Sequence, residues 1–276
     1  MISSFIITLR EGMEAALIVG LVLAAVHKAG AVSLVRSVWY GTGAAVGVSL
    51  VAGVAFALAV GSLPEEVGEA VEGVASVAAV VVLTYMIFWM RRQARHLARD
   101  IDDRVRAAAG LGSGWALGTL AFAAVVREGL ETALFLYSSV TATEAVAGSL
   151  GAALGLIAAV LLGYAVYRGS IRLDLAKFFT ATGILLIVLA AGMLAYGLHE
   201  LQEVGVVPVT VEHLWDMNAI LDDGAGAGAF LKGLVGYNGN PSLLEAIAYW
   251  LYLGIVGVLF LRPAASTIRP GPLPQS

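Results

Sequence analysis

Two short stretches of the chain carry the groups best suited to chemistry. Arg10-Glu11-Gly12-Met13-Glu14 and Arg127-Glu128-Gly129-Leu130-Glu131 share one pattern, R-E-G-[ML]-E, 117 residues apart. Both continue alike, as Ala15-Ala16-Leu17 and Thr132-Ala133-Leu134. On a helix, residues three and four apart share a face. Glu11 and Glu14 therefore converge on one ligand, and Arg10 stands one turn before Glu14. Glu128, Glu131 and Arg127 repeat the arrangement. Two arginines do not neutralise four glutamates, so the set keeps a net charge of −2. A negative site built only from oxygen ligands suits a hard multivalent cation. Gly12 and Gly129 remove a side chain beside the carboxylates and permit close helix approach.

The elements that must position these groups are membrane spans. The chain has 276 residues, 59% apolar and only 13% charged. Its mean hydropathy is +0.89. A soluble domain is nearer one quarter charged, so this composition excludes an ordinary soluble enzyme and a disordered chain. There is no cysteine, hence no disulfide framework and no thiolate chemistry. No basic face rises above the membrane-flanking charges, so nucleic acid is not an expected partner. A spanning helix needs about 20 mostly apolar residues. Seven segments qualify, at about 3–27, 37–60, 72–90, 113–139, 147–167, 178–199 and 242–261. The first lacks a basic leading region and carries Arg10, Glu11 and Glu14, so it reads as a span and not as a signal peptide. The expected fold is all-α: one multi-pass membrane domain over 1–276, with a disordered tail at 262–276.

Three spans separate the two motifs, and an odd number makes the two copies run in opposite directions. The expected architecture is thus an inverted 3+3 repeat, spans 1–3 and 4–6, with span 7 added. At 1.5 Å rise per residue, the motif centres lie roughly 13 Å and roughly 16 Å from the outer ends of their spans, a matched depth. Six ionisable groups there cost roughly 2.5–3.5 kcal/mol each on the insertion scale. They must therefore be paired, hydrated or metal-bound.

Lysines and arginines set the orientation. Thirteen of the 16 lie on one side: Lys28 and Arg36, the run from Arg91 to Arg106, Arg168, Arg172, Lys177, and Arg262 and Arg269 in the tail. Arg10 and Arg127 lie within spans, and Lys232 alone falls on the other side. The N-terminus is expected outside and the C-terminus in the cytoplasm. The outer loops are acidic, with Glu65, Glu66, Glu69 and Glu72 before span 3, Glu144 after span 4, and Glu200, Glu203, Glu212, Asp216, Asp222 and Asp223 after span 6. Such a face concentrates cations.

The doubled motif in a seven-span chain resembles the oxidase-coupled iron permease family, which includes the fungal high-affinity iron permease and the permease of bacterial elemental iron uptake systems. The runs Glu69–Met90, Gly197–Gly205 and LVGYNGNPSLLEAIAYWLY look like the family as well, and the likeness covers about residues 1–261. The resemblance implies iron import across the cell membrane, with iron as the transported substrate and Glu11, Glu14, Glu128 and Glu131 as its path. It also implies a periplasmic or extracellular iron-binding protein or an iron oxidase as partner.

Further candidates are weaker. Glu69 and Glu72 fall one turn apart where cations would arrive, although a helix N-terminus favours carboxylates anyway. His199 and Glu203 are i, i+4 neighbours with Glu200 beside them, and Glu212, His213 and Asp216 form a looser group. Gly224, Gly226 and Gly228 read as a flexible loop. Gly43/Gly47 and Gly151/Gly155 are small-residue pairs suited to close packing or to a homo-oligomer face. A di-iron enzyme of the ferritin kind would need Glu three residues before a histidine. None of His27, His96, His199 and His213 has one. The carboxylates alone leave open an exchanger of another divalent cation, such as manganese or lead.

Overall fold

The structure, a computed structural model, describes residues 1–93, 97–110, 113–141, 145–167 and 175–262, without side chains at 91–100, 109, 139–145 and 166–176. Glu144, Arg168, Arg172 and the tail from 263 onward therefore lie outside the described residues, as does His96. Nine helices run through the described residues: α1 (Ile2–Lys28), α2 (Val35–Gly61), α3 (Glu65–Gln93), α4 (Leu97–Gly110), α5 (Gly114–Thr141), α6 (Ala145–Tyr167), α7 (Leu175–Glu203), α8 (Gly226–Val235) and α9 (Leu243–Leu261). No strand occurs among them.

Five helical stretches are long and apolar enough to cross a membrane: Val32–Gly61, Glu65–Met90, Val146–Ala165, Lys177–Glu203 and Leu243–Leu261. Helices α1 and α5 match them in length, 27 and 28 residues, but carry the motif charges.

Packing follows the sequence repeat. Helix α1 lies along α6, α5 along α2, and α3 along α7, while α1 also packs on α5. Glycines and other small residues make the close contacts. Gly12 faces Ala159 and Gly163 faces Ala16, while Gly129 faces Ser49 and Gly53 faces Ala133. Gly151 abuts Met1, and Gly41 abuts Gly118. Adding 117 to the α1-side residue and subtracting 110 from the α6 residue turns these three α1–α6 contacts into the three α5–α2 contacts. The packed stripes are thus Gly41, Ala45, Ser49, Gly53 on α2 and Gly151, Gly155, Ala159, Gly163 on α6, each at four-residue spacing.

This register separates the two glycine pairs. Gly43 and Gly47 meet nothing within 4 Å, whereas Gly151 and Gly155 press on α1 backbone. A four-residue stripe starting at 41 occupies the face turned toward α5, and two residues on, the helix has rotated about 200° away.

Two helices were not expected. Helix α4 lies in the stretch read as a basic loop. Ile101, Val105 and Ala108 are buried with Val19, Val22 and Val26 of α1 and Leu117 of α5. Asp102 on the other side accepts from Arg106 Nη2 at 2.6 Å and meets Lys28 Nζ at 3.8 Å. That hydrogen bond from Arg106 holds the Asp102 carboxyl below its usual range. Helix α8 replaces the loop expected at Gly224–Gly228. Ala225 caps its start in extended conformation, and Gly236 ends it at φ +70°, the left-handed conformation that favours glycine. The alternating glycines and alanines hid a ten-residue apolar helix, GAGAFLKGLV.

The Glu65 and His199 helix ends lie together with the start of α9, an acidic end of the molecule. The opposite end carries α4.

Candidate cation site

The two motifs meet where α1 packs on α5. Arg10, Glu11, Glu14 and Glu128 are all 2% exposed or less, among apolar neighbours. Arg10 Nη1 donates to Glu11 Oε1 at 3.3 Å, and its Nε lies 3.0 Å from Glu14 Oε1. Arg127 Nε donates to Glu128 Oε1 at 3.0 Å, its Nη2 also donates to that oxygen, and its Nε stands 3.7 Å from Glu131 Oε1. Each arginine thus pairs with both glutamates of its own motif. The i, i+4 partner was legible in the spacing. The adjacent partner was not, because neighbours on a helix point about 100° apart and meet only when a long guanidinium bends back.

The arginines leave oxygens over. Glu11 Oε2, Glu14 Oε2, Glu128 Oε2 and Glu131 Oε2 are buried without a hydrogen-bond partner. Buried unsatisfied carboxylate oxygens are costly, and native proteins rarely keep several together without a ligand. Glu11, Glu128 and Glu131 bring oxygens within 4.8 Å of one another. Ligands around one cation at about 2.0–2.6 Å span up to about 4–5 Å, so the three fit a single hard ion. With all six groups charged, a divalent ion brings the set to neutrality.

Glu14 stands outside that trio. It lines a cavity of about 290 Å³ at the α4 end, with Leu17, Ile18, Trp89, Arg104 and Arg127. Opposite directions of α1 and α5 explain the split. Counted from the acidic end, the order is Glu131, then Glu11 with Glu128, then Glu14. The Arg127 guanidinium lies 4.8 Å over the Trp89 ring, a cation–π contact that sequence reasoning missed.

Gly12 and Gly129 lie at the helix crossings beside the site, against Ala159 and Ser49. A methyl on Gly12 would stand 2.7 Å from the Ala159 Cβ, closer than real contacts allow.

Toward the acidic end a second set of oxygens follows. Glu72 accepts from the Tyr137 hydroxyl at 3.3 Å and from the Tyr196 hydroxyl at 3.1 Å. Tyr137 lies six residues beyond Glu131 on α5, about 9 Å along the axis. Glu69 is half-buried, and with Glu72 it lies within electrostatic reach of Glu200. Neither tyrosine was singled out from sequence, since a lone aromatic near a span end reads as an interfacial anchor.

A larger cavity, about 730 Å³, opens at the acidic end. His199, Glu200, Glu203, Glu212 and His213 line it, and Ser3 lies at its α1 side. His199 Nδ1 meets the buried Glu245 at 3.1 Å, and its Nε2 stands 3.6 Å from Glu203. Asn238 Nδ2 donates to the other Glu245 oxygen at 2.7 Å. His199, Glu200 and Glu203 thus share a cavity wall but do not join the three-carboxylate group. Asp216 instead accepts from the Asn218 backbone N–H, an Asx turn. Glu245 was missed from sequence, although Ser242-x-x-Glu245 is a capping box: Ser242 Oγ accepts from the Glu245 backbone N–H.

Comparison with known proteins decides the family. Residues 1–268 match the iron permease FTR1 family. The chain belongs to that family. It is 36% identical over 267 residues to the ferrous iron permease EfeU of Yersinia pestis, covering 95% of this chain and 94% of that one. It is also 36% identical over 261 residues to the ferrous iron permeases EfeU of Escherichia coli O6:K15:H31 and Shigella sonnei, covering 94% of this chain and 95% of each. No solved structure matches the chain. The family and these relatives are permeases, not enzymes.

The exposed Glu65 and Glu66 begin α3 at the acidic end. Charges so placed raise local cation concentration but are screened by salt. Changing both to Gln raises the half-saturation concentration for uptake and leaves the maximal rate nearly unchanged. The difference from wild type shrinks as ionic strength rises. A lower maximal rate at unchanged half-saturation would place them inside the path.

Proposed function

We propose that this permease imports ferrous iron, that the ion is held by Glu11, Glu128 and Glu131 between α1 and α5, and that it leaves past Glu14. One observation carries the reading: carboxylates from both motif copies converge, each keeps a buried oxygen without a hydrogen-bond partner, and a divalent ion neutralises the set. The relatives are ferrous iron permeases by name. In this reading Glu69, Glu72 and Glu200 receive the ion from the acidic end, and the cavity lined by His199 and Glu203 is its vestibule.

Seven helices cross the membrane in this proposal: α1, α2, α3, α5, α6, α7 and α9, within one domain. Helices α1–α3 and α5–α7 are the inverted halves, and α4 lies on the cytoplasmic surface. The acidic end faces outward, with the N-terminus outside and the C-terminal tail in the cytoplasm, as the basic residues favour. An extracytoplasmic iron-binding protein or iron oxidase delivers the ion to the acidic face. If the chain forms a homo-oligomer, the open face of α2 at Gly43 and Gly47 is where a second copy packs.

The test is iron uptake by the purified protein in liposomes, with manganese as competitor, and crystals soaked with iron and measured at the iron edge. The anomalous peak is expected between Glu11, Glu128 and Glu131. A peak elsewhere, or uptake of manganese in preference to iron, overturns the assignment. Orientation has its own test. Cysteines placed at Ser62, in the exposed turn before α3, and at the exposed Arg106 on α4 are expected to label from opposite sides of intact cells, Ser62 from outside. Labelling of both from one side would remove the inverted repeat.

A further inference from the structure

One face of α1 reads Ser3, Ile7, Glu11, Glu14 and Ile18 at helical spacing. Ser3 lines the large cavity at the acidic end, and Glu14 and Ile18 line the small cavity at the α4 end. Between Ser3 and Glu11 stands Ile7, 1% exposed. The matching face of α5 runs the other way: Leu120, Ala124, Glu128, Glu131 and Phe135. Leu120 and Ala124 line the α4-end cavity, whereas Phe135 is fully buried in the same apolar cluster as Ile7, with Leu83 of α3 and Leu186 of α7.

The 117-residue correspondence pairs Ile7 with Ala124 and Phe135 with Ile18. Helix packing obeys that correspondence contact by contact at the glycines, but here it fails. At the acidic end the pair is sealed. At the α4 end the corresponding pair borders open space. The α4-end cavity thus reaches the carboxylates at Glu14, whereas buried Ile7 and Phe135 stand between them and the acidic-end cavity. An apolar constriction excludes a hydrated divalent ion, because stripping its water there has no compensation.

We infer that Ile7 and Phe135 are the closed gate on the acidic side of an alternating-access cycle, and that Ile18 and Ala124 form the gate that closes in the opposite state. The inference rests on the transport reading above. The two halves exchange conformations: when Ile7 and Phe135 part, the Ile18–Ala124 side packs, and the carboxylates change the end they face. Ile7 and Phe135 act through access and do not ligate the ion.

The chain has no cysteine, so single cysteines report access without background. Ser3→Cys, Ile7→Cys, Ala124→Cys and Phe135→Cys are placed in the full chain in liposomes, with Val38→Cys, a fully buried position on α2, as a static control. A membrane-impermeant thiol reagent is applied from each side, with and without ferrous iron under transport conditions. Without iron, Ser3→Cys reacts from one side and Ala124→Cys from the other. Ile7→Cys and Phe135→Cys react from the Ser3 side at least about tenfold more slowly than Ser3→Cys, as a minor open state requires. During transport both accelerate several-fold, Ala124→Cys slows, and Val38→Cys stays slow. Ile7→Cys reacting as fast as Ser3→Cys without iron overturns the gate. So does either gate position tracking Val38→Cys in all conditions while uptake is intact. Should Phe135→Cys fail to fold, Ile7→Cys on the other helix decides. A wrong orientation swaps the reactive sides but keeps them opposite. A wrong transport reading shows as no iron uptake by the unsubstituted protein.

Discussion

Glu11→Gln and Glu128→Gln each lower iron uptake in liposomes by on the order of a hundredfold or more, while the protein still inserts and purifies. Gln keeps the shape and removes one charge from a site whose carboxylates are almost wholly buried. Removing one partner of a buried charge pair costs about 2–5 kcal/mol, and 1.4 kcal/mol is tenfold in affinity. Each substitution also takes one of two anionic partners from its arginine, since Arg10 binds Glu11 and Arg127 binds Glu128 through the same carboxylates. Glu131→Gln falls in the same class, because its oxygen completes the trio. Glu14→Gln differs. Its carboxylate borders the α4-end cavity outside the trio, so the expected loss is in maximal rate, with iron binding by the purified protein changed less than tenfold. Binding is read by titration and transport by uptake, both normalised to folded protein. Near wild-type binding in Glu11→Gln and Glu128→Gln would remove the three-carboxylate site.

That grading marks the limit of sequence reasoning. Types and spacing placed Glu11, Glu14, Glu128 and Glu131 together, because a five-residue pattern repeated in antiparallel spans has few other arrangements. They implied one symmetric cage. Each second glutamate lies three residues, about 4.5 Å, C-terminal of the first, and α1 and α5 run oppositely, so the two move apart, Glu131 toward the acidic end and Glu14 toward α4. The bounds of the long apolar helices were legible to within a few residues at most ends, since about 20 apolar residues in a row favour one long helix. The early start of α3 at Glu65 was not, because its first turn is acidic and reads as loop. Helix α4 was hidden for the reverse reason: its apolar positions 101, 105 and 108 lie among charges. Tyr137, Tyr196 and Glu245 depend on contacts 46–124 residues apart in sequence, which no local pattern encodes.

Gly155→Leu and Gly41→Leu are expected to yield no monodisperse protein, while Gly47→Leu yields a folded, active one. All three are helical glycines in the middle of apolar sequence, so composition and propensity treat them alike. Packing does not. A Cβ on Gly155 would meet Thr8, the Phe5 carbonyl and the Leu9 amide of α1, and a Cβ on Gly41 would meet the Gly118 backbone of α5. Backbone cannot swing aside as a side chain can, so α6 must separate from α1, which carries Glu11, or α2 from α5, which carries Glu128. Overpacking typically costs 1–3 kcal/mol for a few methylenes, more when the backbone is the obstacle, against a total stability of about 5–15 kcal/mol. Gly47 meets nothing within 4 Å. There, replacing glycine in a helix gains about 0.5–1 kcal/mol from reduced backbone freedom. Fluorescence-detected size exclusion before and after heating ranks the variants. Milder Ala substitutions extend the test: Gly155→Ala lowers the melting temperature, and Gly47→Ala leaves it unchanged or raises it. The pseudo-symmetry adds a constraint that a chance contact would not obey. Gly12→Ala and Gly129→Ala press on corresponding residues, Ala159 and Ser49, so the two should destabilise by similar amounts. If Gly47→Leu were lost as completely as Gly155→Leu, the four-residue stripe starting at Gly41 would not be the face that holds the two halves together.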